Sequence, residues 1–342
     1  MKQPSNFGLV ICAGFISMYR SSRTNFCLLL AIAVYTSACS ISKHTSSRLP
    51  VDSRYCEPSV KFEYDTLAHP LWDIKEVVDS ALLERYSYHS LHVANATGVL
   101  MELKDLCQHE QLMLDNYSSR SQTIYTAKRQ HIMNRLMLVS TEVASISAEL
   151  DCEGERASQI ADFLTEKENR KVKSFTVMSI TVGAVTGIIT TLLQTRNGSL
   201  TGQEIIGIGG GIMSAGLGLS TLFSNRSIVY HHPRNLLTDI WNDGEKTSVY
   251  PPAVWYMLKE DPFSGTGKNS VCQHIRERWQ QYGMLGDTTS KDFGQVQALF
   301  FGEGGRYSQD QLRIRASMLN QVQAEVRLMT QDLHILMLEL SK

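Results

Sequence analysis

A few histidine and cysteine residues have types and spacings that could support chemistry. His89 and His92 lie three residues apart and would share one helix face, but no third ligand follows at a spacing diagnostic of zinc. Cys272 and His274 do not establish a nucleophile and its base, because such pairs are defined by distance in space. We therefore predict no metal site and no cofactor.

The nearest approach to a phosphate-binding loop is the glycine run Gly207–Ile212. Ile212 occupies the last glycine position of the dinucleotide fingerprint, and no Lys-Ser/Thr pair follows it. The formal charge of −1 and the lack of basic patches interleaved with aromatic residues argue against nucleic acid as a partner. A non-catalytic function is favoured, and an enzyme of unknown reaction is kept as a second alternative.

A segment near the N-terminus has the composition of an export signal. Arg20 and Arg23 follow Met18, and the apolar run Phe26–Val34 precedes Thr36-Ser37-Ala38-Cys39. This arrangement resembles the signal of bacterial lipoproteins, in which the cysteine after a short apolar run carries a diacylglycerol. The resemblance implies a signal peptide over residues 1–38, lipidation of Cys39, and a lipid-anchored protein of the bacterial cell envelope that faces the periplasm or the cell surface.

The apolar part of this signal is too short to act as a transmembrane anchor. It has about ten apolar residues, whereas a spanning helix needs about twenty, so we expect cleavage. The start of the chain is open between Met1 and Met18, because Phe7–Ile16 forms a second apolar stretch upstream. After the cleavage point, residues 39–73 are predicted to form a Ser/Thr-rich tether and an irregular lead-in.

Four cysteines follow Cys39, and export would place them in an oxidising compartment. An even number permits two disulfides, whose connectivity the sequence does not determine. We expect Cys107 and Cys152 to pair, since each lies on a predicted helix. The alternative is that they are small buried thiols at helix interfaces. The other two are Cys56 and Cys272.

The body is predicted to be mainly α, with long antiparallel helices joined by heptad seams. Residues 74–172 should form a long helical hairpin with a turn at Asp115–Ser119, and residues 307–342 a C-terminal helix that starts with a capping box at Ser308 and Gln311. Seams of this kind must pack on each other or on a second chain, so self-association is an open alternative. The two seams comprise Ile132, Leu136, Val139, Val143, Ile146, Leu150, Ala157, Ile160 and Leu164, interrupted by Glu153, and Leu312, Leu319, Val322, Val326, Met329, Leu333, Leu336 and Leu340.

Between these helices, residues 226–306 are broken by Gly and Pro into short pieces. Trp241, Trp255 and Trp279 fall here. We interpret this part as a small irregular cap whose aromatic residues fill a core of their own.

The remaining segment, residues 173–225, is an apolar, glycine-rich hairpin. Its two stretches, Phe175–Leu193 and Ile205–Phe223, are each long enough to span a bilayer. Small residues recur every fourth position, which permits close packing of two helix backbones. The residues expected at this contact are Ser179, Gly183 and Gly187 on the first helix and Gly207, Gly211 and Ala215 on the second.

The location of the hairpin has three interpretations. It is a buried core element, a hairpin that inserts into a membrane from the periplasmic or outer side, or a conventional inner-membrane pair. Arg170, Lys171 and Lys173 before it oppose the last of these, because flanks outside the cytoplasm are seldom basic. The sequence therefore favours a membrane-associated scaffold or binding protein. The alternative is a membrane-inserting protein similar in architecture to α-helical pore-forming toxins.

Overall fold

The computed structural model describes residues 55, 56, 64, 70, 71, 73–115, 118–195, 209–216, 227–287 and 289–342. They belong to one compact unit, Asp52–Lys342. The protein is mainly α, as predicted. Its elements are α1 (Ser80–Arg85), α2 (Tyr88–Ala96), α3 (Leu100–Asp115), α4 (Ser119–Thr195), β1 (Ser227–His231), α5 (Thr238–Asn242), α6 (Pro252–Lys259), α7 (Val271–Gln281), α8 (Phe293–Phe301), β2 (Gly304–Ser308) and α9 (Gln309–Ser341).

The core of the unit lies between α4 and α9, which pack antiparallel. Near the start of α9, Thr165 Oγ1 bonds Gln309 Oε1 at 3.0 Å, and further along Gln323 Nε2 donates to Asp151 Oδ1 at 2.7 Å. All the seam residues predicted on both helices are buried. The predicted packing of these helices is therefore confirmed, and their seams are covered within one chain.

The capping box that begins α9 is also confirmed. Ser308 Oγ accepts from the Gln311 backbone N–H at 3.2 Å, and Gln311 Oε1 accepts from the Ser308 N–H at 2.9 Å. This reciprocal pair satisfies two donors that a helix start would otherwise leave open. The start of α9 is thereby fixed next to Thr165 of α4.

The segment before α4 forms three short helices and not one long helix. Ser87 breaks the run because its side chain caps α2 by accepting from the Ser90 N–H. Gly98 breaks it again with a φ of 73°, a left-handed conformation that glycine adopts without steric cost. The result is three helices: α2 packs against α9, α3 packs against α4, and α1 packs against α3.

By contrast, α4 is longer than expected. It runs for 77 residues, about 115 Å, and passes without a break from the heptad seam into the apolar stretch of the hairpin. No proline interrupts it. One continuous helix therefore forms part of the body and the first half of the hairpin.

The sequence patterns did not predict a β-ribbon, but one connects the hairpin to the body. Strand β1 pairs antiparallel with β2, from Ser227 opposite Ser308 to His231 opposite Gly304. Gly304 has a φ of 98°, and a Cβ there would overlap the Tyr230 carbonyl oxygen. Only glycine fits this approach.

The cap region has an aromatic core, as the sequence suggested. Trp241 stacks on Phe301 with ring centroids 4.6 Å apart, and Trp279 stacks on the same ring at 5.9 Å. Trp255 stacks on Tyr250 at 5.8 Å. Through Phe301, these rings join α5, α7 and α8 to one another.

A disulfide joins Cys56 to Cys152, with Cα atoms 5.6 Å apart. Cys107 and Cys272 are buried free thiols, so the expected pairing of Cys107 with Cys152 is wrong. Asp105 of α3 contacts Lys128 of α4 at 3.0 Å. That contact places Cys107 on the order of 35 Å along α4 from Cys152, whereas a disulfide needs Cα atoms within about 7 Å.

Candidate membrane-inserting hairpin

The apolar end of α4 is exposed. It contains a window long and apolar enough to cross a membrane, with a mean hydropathy of 1.6, and none of that window is buried. Val177, Ile180 and Ile188 are 63%, 65% and 61% exposed. Among the residues that the structure describes, none buries this stretch, so the structure does not support the interpretation of a buried core element.

A second helical segment, residues 209–216, lies beside the end of α4. The hydroxyl oxygens of Ser179 and Ser214 are 3.2 Å apart, and Ser214 Oγ also donates to the Ser179 carbonyl at 3.2 Å. On the outer side of the segment, Ile212 and Met213 are exposed. The expected pair of closely packed helices is present here, with apolar side chains directed outward.

One glycine, Gly210, accounts for the closeness of this pair. A Cβ at Gly210 would overlap the side chain of Thr186, and a Cβ at Gly183 would lie 3.8 Å from Ser214 Oγ. Gly210 thus permits a separation that any larger residue would prevent. Of the predicted contact residues, Ser179 and Gly183 are confirmed.

The other predicted contact residues do not lie at the observed contact. No atom of the described residues would come within 4 Å of a Cβ at Gly187 or Gly211, and Ala215 is exposed. Neighbouring positions point about 100° apart around a helix. The row that starts at Gly210 faces α4, so the row one residue later is turned away. Gly207 and the predicted lipidation site Cys39 lie outside the described residues.

The threonine hydroxyls on the apolar end of α4 are satisfied within the helix. Each donates to the backbone carbonyl four residues earlier, at 2.8 to 3.0 Å. A bonded hydroxyl avoids most of the cost of removal from water. The stretch can therefore enter an apolar medium without unpaired hydroxyl donors. The threonines are Thr176, Thr181, Thr186, Thr190 and Thr191.

A buried polar cluster anchors the return strand of the hairpin. Glu153, the residue that interrupts the α4 seam, forms an ion pair of 2.6 Å with Arg156 and accepts a hydrogen bond of 3.3 Å from Tyr230 of β1. The Arg156 guanidinium also lies 4.5 Å from the centre of the Tyr230 ring. Sequence reasoning missed this role, although the break in the heptad pattern at Glu153 was its signal.

His232 and Arg315 extend the same cluster. Tyr307 donates to the Leu299 carbonyl at 2.5 Å, so its oxygen accepts from His232 Nε2 at 3.0 Å. Burial, together with the Arg315 and Arg156 charges, lowers the pKa of His232 to about 2, so that the ring is neutral. Arg315 donates to the Phe300 carbonyl at 2.9 Å. The cluster ties β1 to α4 through Glu153, while Arg315 of α9 bonds the segments on either side of the ribbon at Asn235 and Phe300.

No family model, curated protein or solved structure matches the chain. Function must therefore be inferred from the geometry of the chain itself.

The two histidines that share a spacing of three residues have separate partners. His89 bonds Asp332 at 2.9 Å, a contact that raises the pKa of His89, whereas His92 bonds the Tyr256 hydroxyl at 3.0 Å. Within the described part of the chain, no group of three or more His, Cys, Asp or Glu residues could hold a metal ion. The geometry assigns both histidines to packing between α2 and its neighbours.

An open groove of about 430 Å³ lies between α4, α7 and α9. Its ionisable lining residues are Arg278, Arg313 and Glu325, and Arg313 contacts Asp162 at 3.3 Å. These side chains do not form a nucleophile–base pair. The exposed apolar hairpin is therefore the stronger candidate for a functional site.

Proposed function

We propose that this protein is a non-catalytic, membrane-associated scaffold or binding protein of the bacterial cell envelope. An acyl group on Cys39 tethers it, and the hairpin formed by the end of α4 and the segment 209–216 inserts into a bilayer. The α4–α9 pair holds the cap region and the cluster of short helices on one side of that bilayer. Membrane insertion of the hairpin is thus the step that positions the body.

The observation that carries the proposal is that no residue in the apolar window of α4 is buried. Exposed apolar patches of this extent on soluble proteins mark surfaces that another apolar phase covers. From Phe175 to Thr195 the helix extends about 30 Å, which is the thickness of a hydrocarbon core. The internally bonded threonines add no large desolvation penalty.

The disulfide supports entry of the hairpin from the outer side of the membrane. Cys56 and Cys152 lie in the body, and persistent disulfides are typical of exported proteins. The body then faces the periplasm or the cell surface. The basic residues before the hairpin lie on that same side, which disfavours a conventional inner-membrane pair. Entry from the outer side agrees with both observations.

The test is flotation of residues 40–342 with phosphatidylcholine vesicles at high salt, because this chain lacks the lipidated cysteine. The paired substitutions Ile180→Asp and Ile188→Asp place two carboxylates in the apolar stretch, at a cost of about 3 kcal/mol each at the centre of a bilayer. Leu83→Asp with Leu328→Asp is the matched control, since these leucines are about half exposed on the body (51% and 50%).

We expect the parent chain and the control to float with the vesicles and the hairpin variant to stay in the aqueous fraction. If the parent chain remains soluble, or if the hairpin variant floats as well as the control, the hairpin does not insert. If the parent chain instead forms soluble oligomers, a second copy rather than a bilayer covers the apolar stretch of α4. That outcome would also overturn the proposal.

A further inference from the structure

We propose that Arg170, Lys171 and Lys173 form a basic collar that binds anionic lipid headgroups at the point where α4 enters the bilayer. The proposal rests on the proposed function, since it requires the hairpin to insert. It adds the kind of membrane the protein selects, which apolar insertion alone does not determine.

On this part of α4, the acidic residues lie before the basic collar. Glu166 and Glu168 are the last acidic residues before the apolar stretch, and the next one in the sequence is Glu204. The collar begins two positions after Glu168 and ends two positions before Phe175. The collar therefore occupies the layer between the charged body and the apolar helix, which is the level of the headgroups when the helix is inserted.

The geometry of the collar fits an interfacial position. Its residues lie within about one turn of α4, a height of roughly 5 Å. Lys171 Nζ lies 5.4 Å from the centre of the Phe175 ring, so the lysine stem lies along the first aromatic residue of the stretch. Lysine side chains with apolar stems and charged ends are suited to this boundary.

The ion pair between Arg170 and Glu166 does not neutralise the positive charge of the collar. Arg170 contacts Glu166 at 2.5 Å, but their side chains are 70% and 62% exposed. An exposed pair of this kind is weak and exchanges readily with other partners. Lipid phosphates can therefore compete for Arg170, while Lys173 is exposed and extends the same positive layer.

A further cation, Arg306, lies on β2, the strand that pairs with the return strand β1 of the hairpin. Arg306 Nη1 donates to Ser227 Oγ at 3.3 Å, at the end of the ribbon where β1 begins. Gln309, which follows this ribbon, contacts Thr165 of α4 at 3.0 Å. Positive charge therefore lies on the α4 leg of the hairpin and beside the start of its return strand.

Electrostatic attraction to an anionic leaflet changes membrane partition by about fivefold for each basic residue near the surface. The test compares binding of residues 40–342 to vesicles of phosphatidylcholine alone and to an equal mixture of phosphatidylcholine and phosphatidylglycerol. The collar variant is Arg170→Gln, Lys171→Gln and Lys173→Gln. The matched control is Arg120→Gln, Lys75→Gln and Lys268→Gln, which removes the same charge from exposed sites away from the hairpin.

We expect the parent chain and the control to bind the anionic vesicles at least tenfold more tightly than the neutral ones, and the collar variant to lose most of that preference. Raising the salt from about 0.1 to about 1 M, which shortens the Debye length from about 10 to about 3 Å, should reduce the preference of the parent chain in the same way. Binding to neutral vesicles should not change.

Equal binding of the parent chain to both kinds of vesicle would overturn the collar but leave hairpin insertion intact. Equal loss of preference in the collar variant and the control would also overturn it, because net charge rather than position would then explain the effect. If the chain binds neither kind of vesicle, the proposed function fails together with this inference.

Discussion

Gly210 lies so close to Thr186 that a Cβ atom at the glycine would overlap the threonine side chain. This approach, together with the hydrogen bond between Ser179 and Ser214, defines the face through which the two hairpin helices meet. The neighbouring Gly211 faces away from that contact. The two adjacent glycines therefore form a natural pair of test and control.

We expect Gly210→Leu to force the hairpin helices apart, at a cost of about 1–3 kcal/mol from overpacking. Gly211→Leu should leave them in place. The measurement is a disulfide cross-link between Ser179→Cys and Ser214→Cys, which should form readily in the parent and in Gly211→Leu but only weakly in Gly210→Leu. Equal cross-linking in both glycine variants would show that the contact does not depend on Gly210.

The second prediction concerns the disulfide that joins Cys56 in the lead-in to Cys152 in α4. Cys56→Ser should lower the free energy of unfolding by about 3–5 kcal/mol, because the bridge closes a long loop in the unfolded chain. Urea unfolding with and without reductant measures this effect. Reductant should destabilise the parent and Cys107→Ala, but leave Cys56→Ser unchanged. A drop of equal size in Cys56→Ser would contradict the assigned pairing.

The third prediction concerns the buried ion pair that holds β1. Glu153→Leu should cost about 3 kcal/mol, because it removes the carboxylate that pairs with Arg156 and accepts a hydrogen bond from Tyr230. The double variant Glu153→Leu with Arg156→Met should recover much of that loss, since it removes both charges. Urea unfolding of both variants, with the exposed neighbour Glu155→Gln as control, measures the coupling. Additive losses would show that the two side chains do not interact.

The fourth prediction is a pH dependence with a defined sign. The pKa of His232 is lowered to about 2 in the folded protein, mainly by burial, whereas an unfolded histidine titrates near 6.5. The unfolded state therefore binds a proton first as the pH falls. Stability from this residue is present above about pH 6.5 and is lost below it by about 1.4 kcal/mol per pH unit.

The measurement compares the parent with His232→Asn across pH 7 to about pH 5, where the advantage of the parent in free energy of unfolding should shrink. His231→Asn, at an exposed neighbouring position, should follow the parent. Glu142 has its pKa raised to about 6 by burial, which gives the opposite trend, but it is present in all variants and cancels. A pH-independent difference between the parent and His232→Asn would refute the assignment.

The fifth prediction concerns the anchor. Metabolic labelling with a fatty acid should mark the wild-type chain and leave Cys39→Ser unlabelled, because the thiol is the acceptor that the lipoprotein signal implies. Intact mass of the labelled product should show removal of residues 1–38. An unlabelled and uncleaved wild-type chain would end the lipoprotein hypothesis and leave the hairpin as the proposed membrane contact.

The long helices and their seams follow from local patterns in the amino-acid sequence. A heptad pattern is local, and once a helix forms, it places Leu319 or Val326 on the same stripe whatever the rest of the chain does. The capping box at Ser308 and the apolar character of the hairpin are equally local. These features were predictable because each depends on residues within a few turns of one another.

The tertiary structure alone decided which residues meet across elements. Small residues formed two neighbouring rows on the second hairpin helix, and only packing against Thr186 selected the row of Gly210 over that of Gly211. Cys152 had several candidate partners until the register of α3 against α4 placed Cys107 far away. These choices depend on distances between segments remote in sequence, and residue spacing along a single chain contains no measure of those distances.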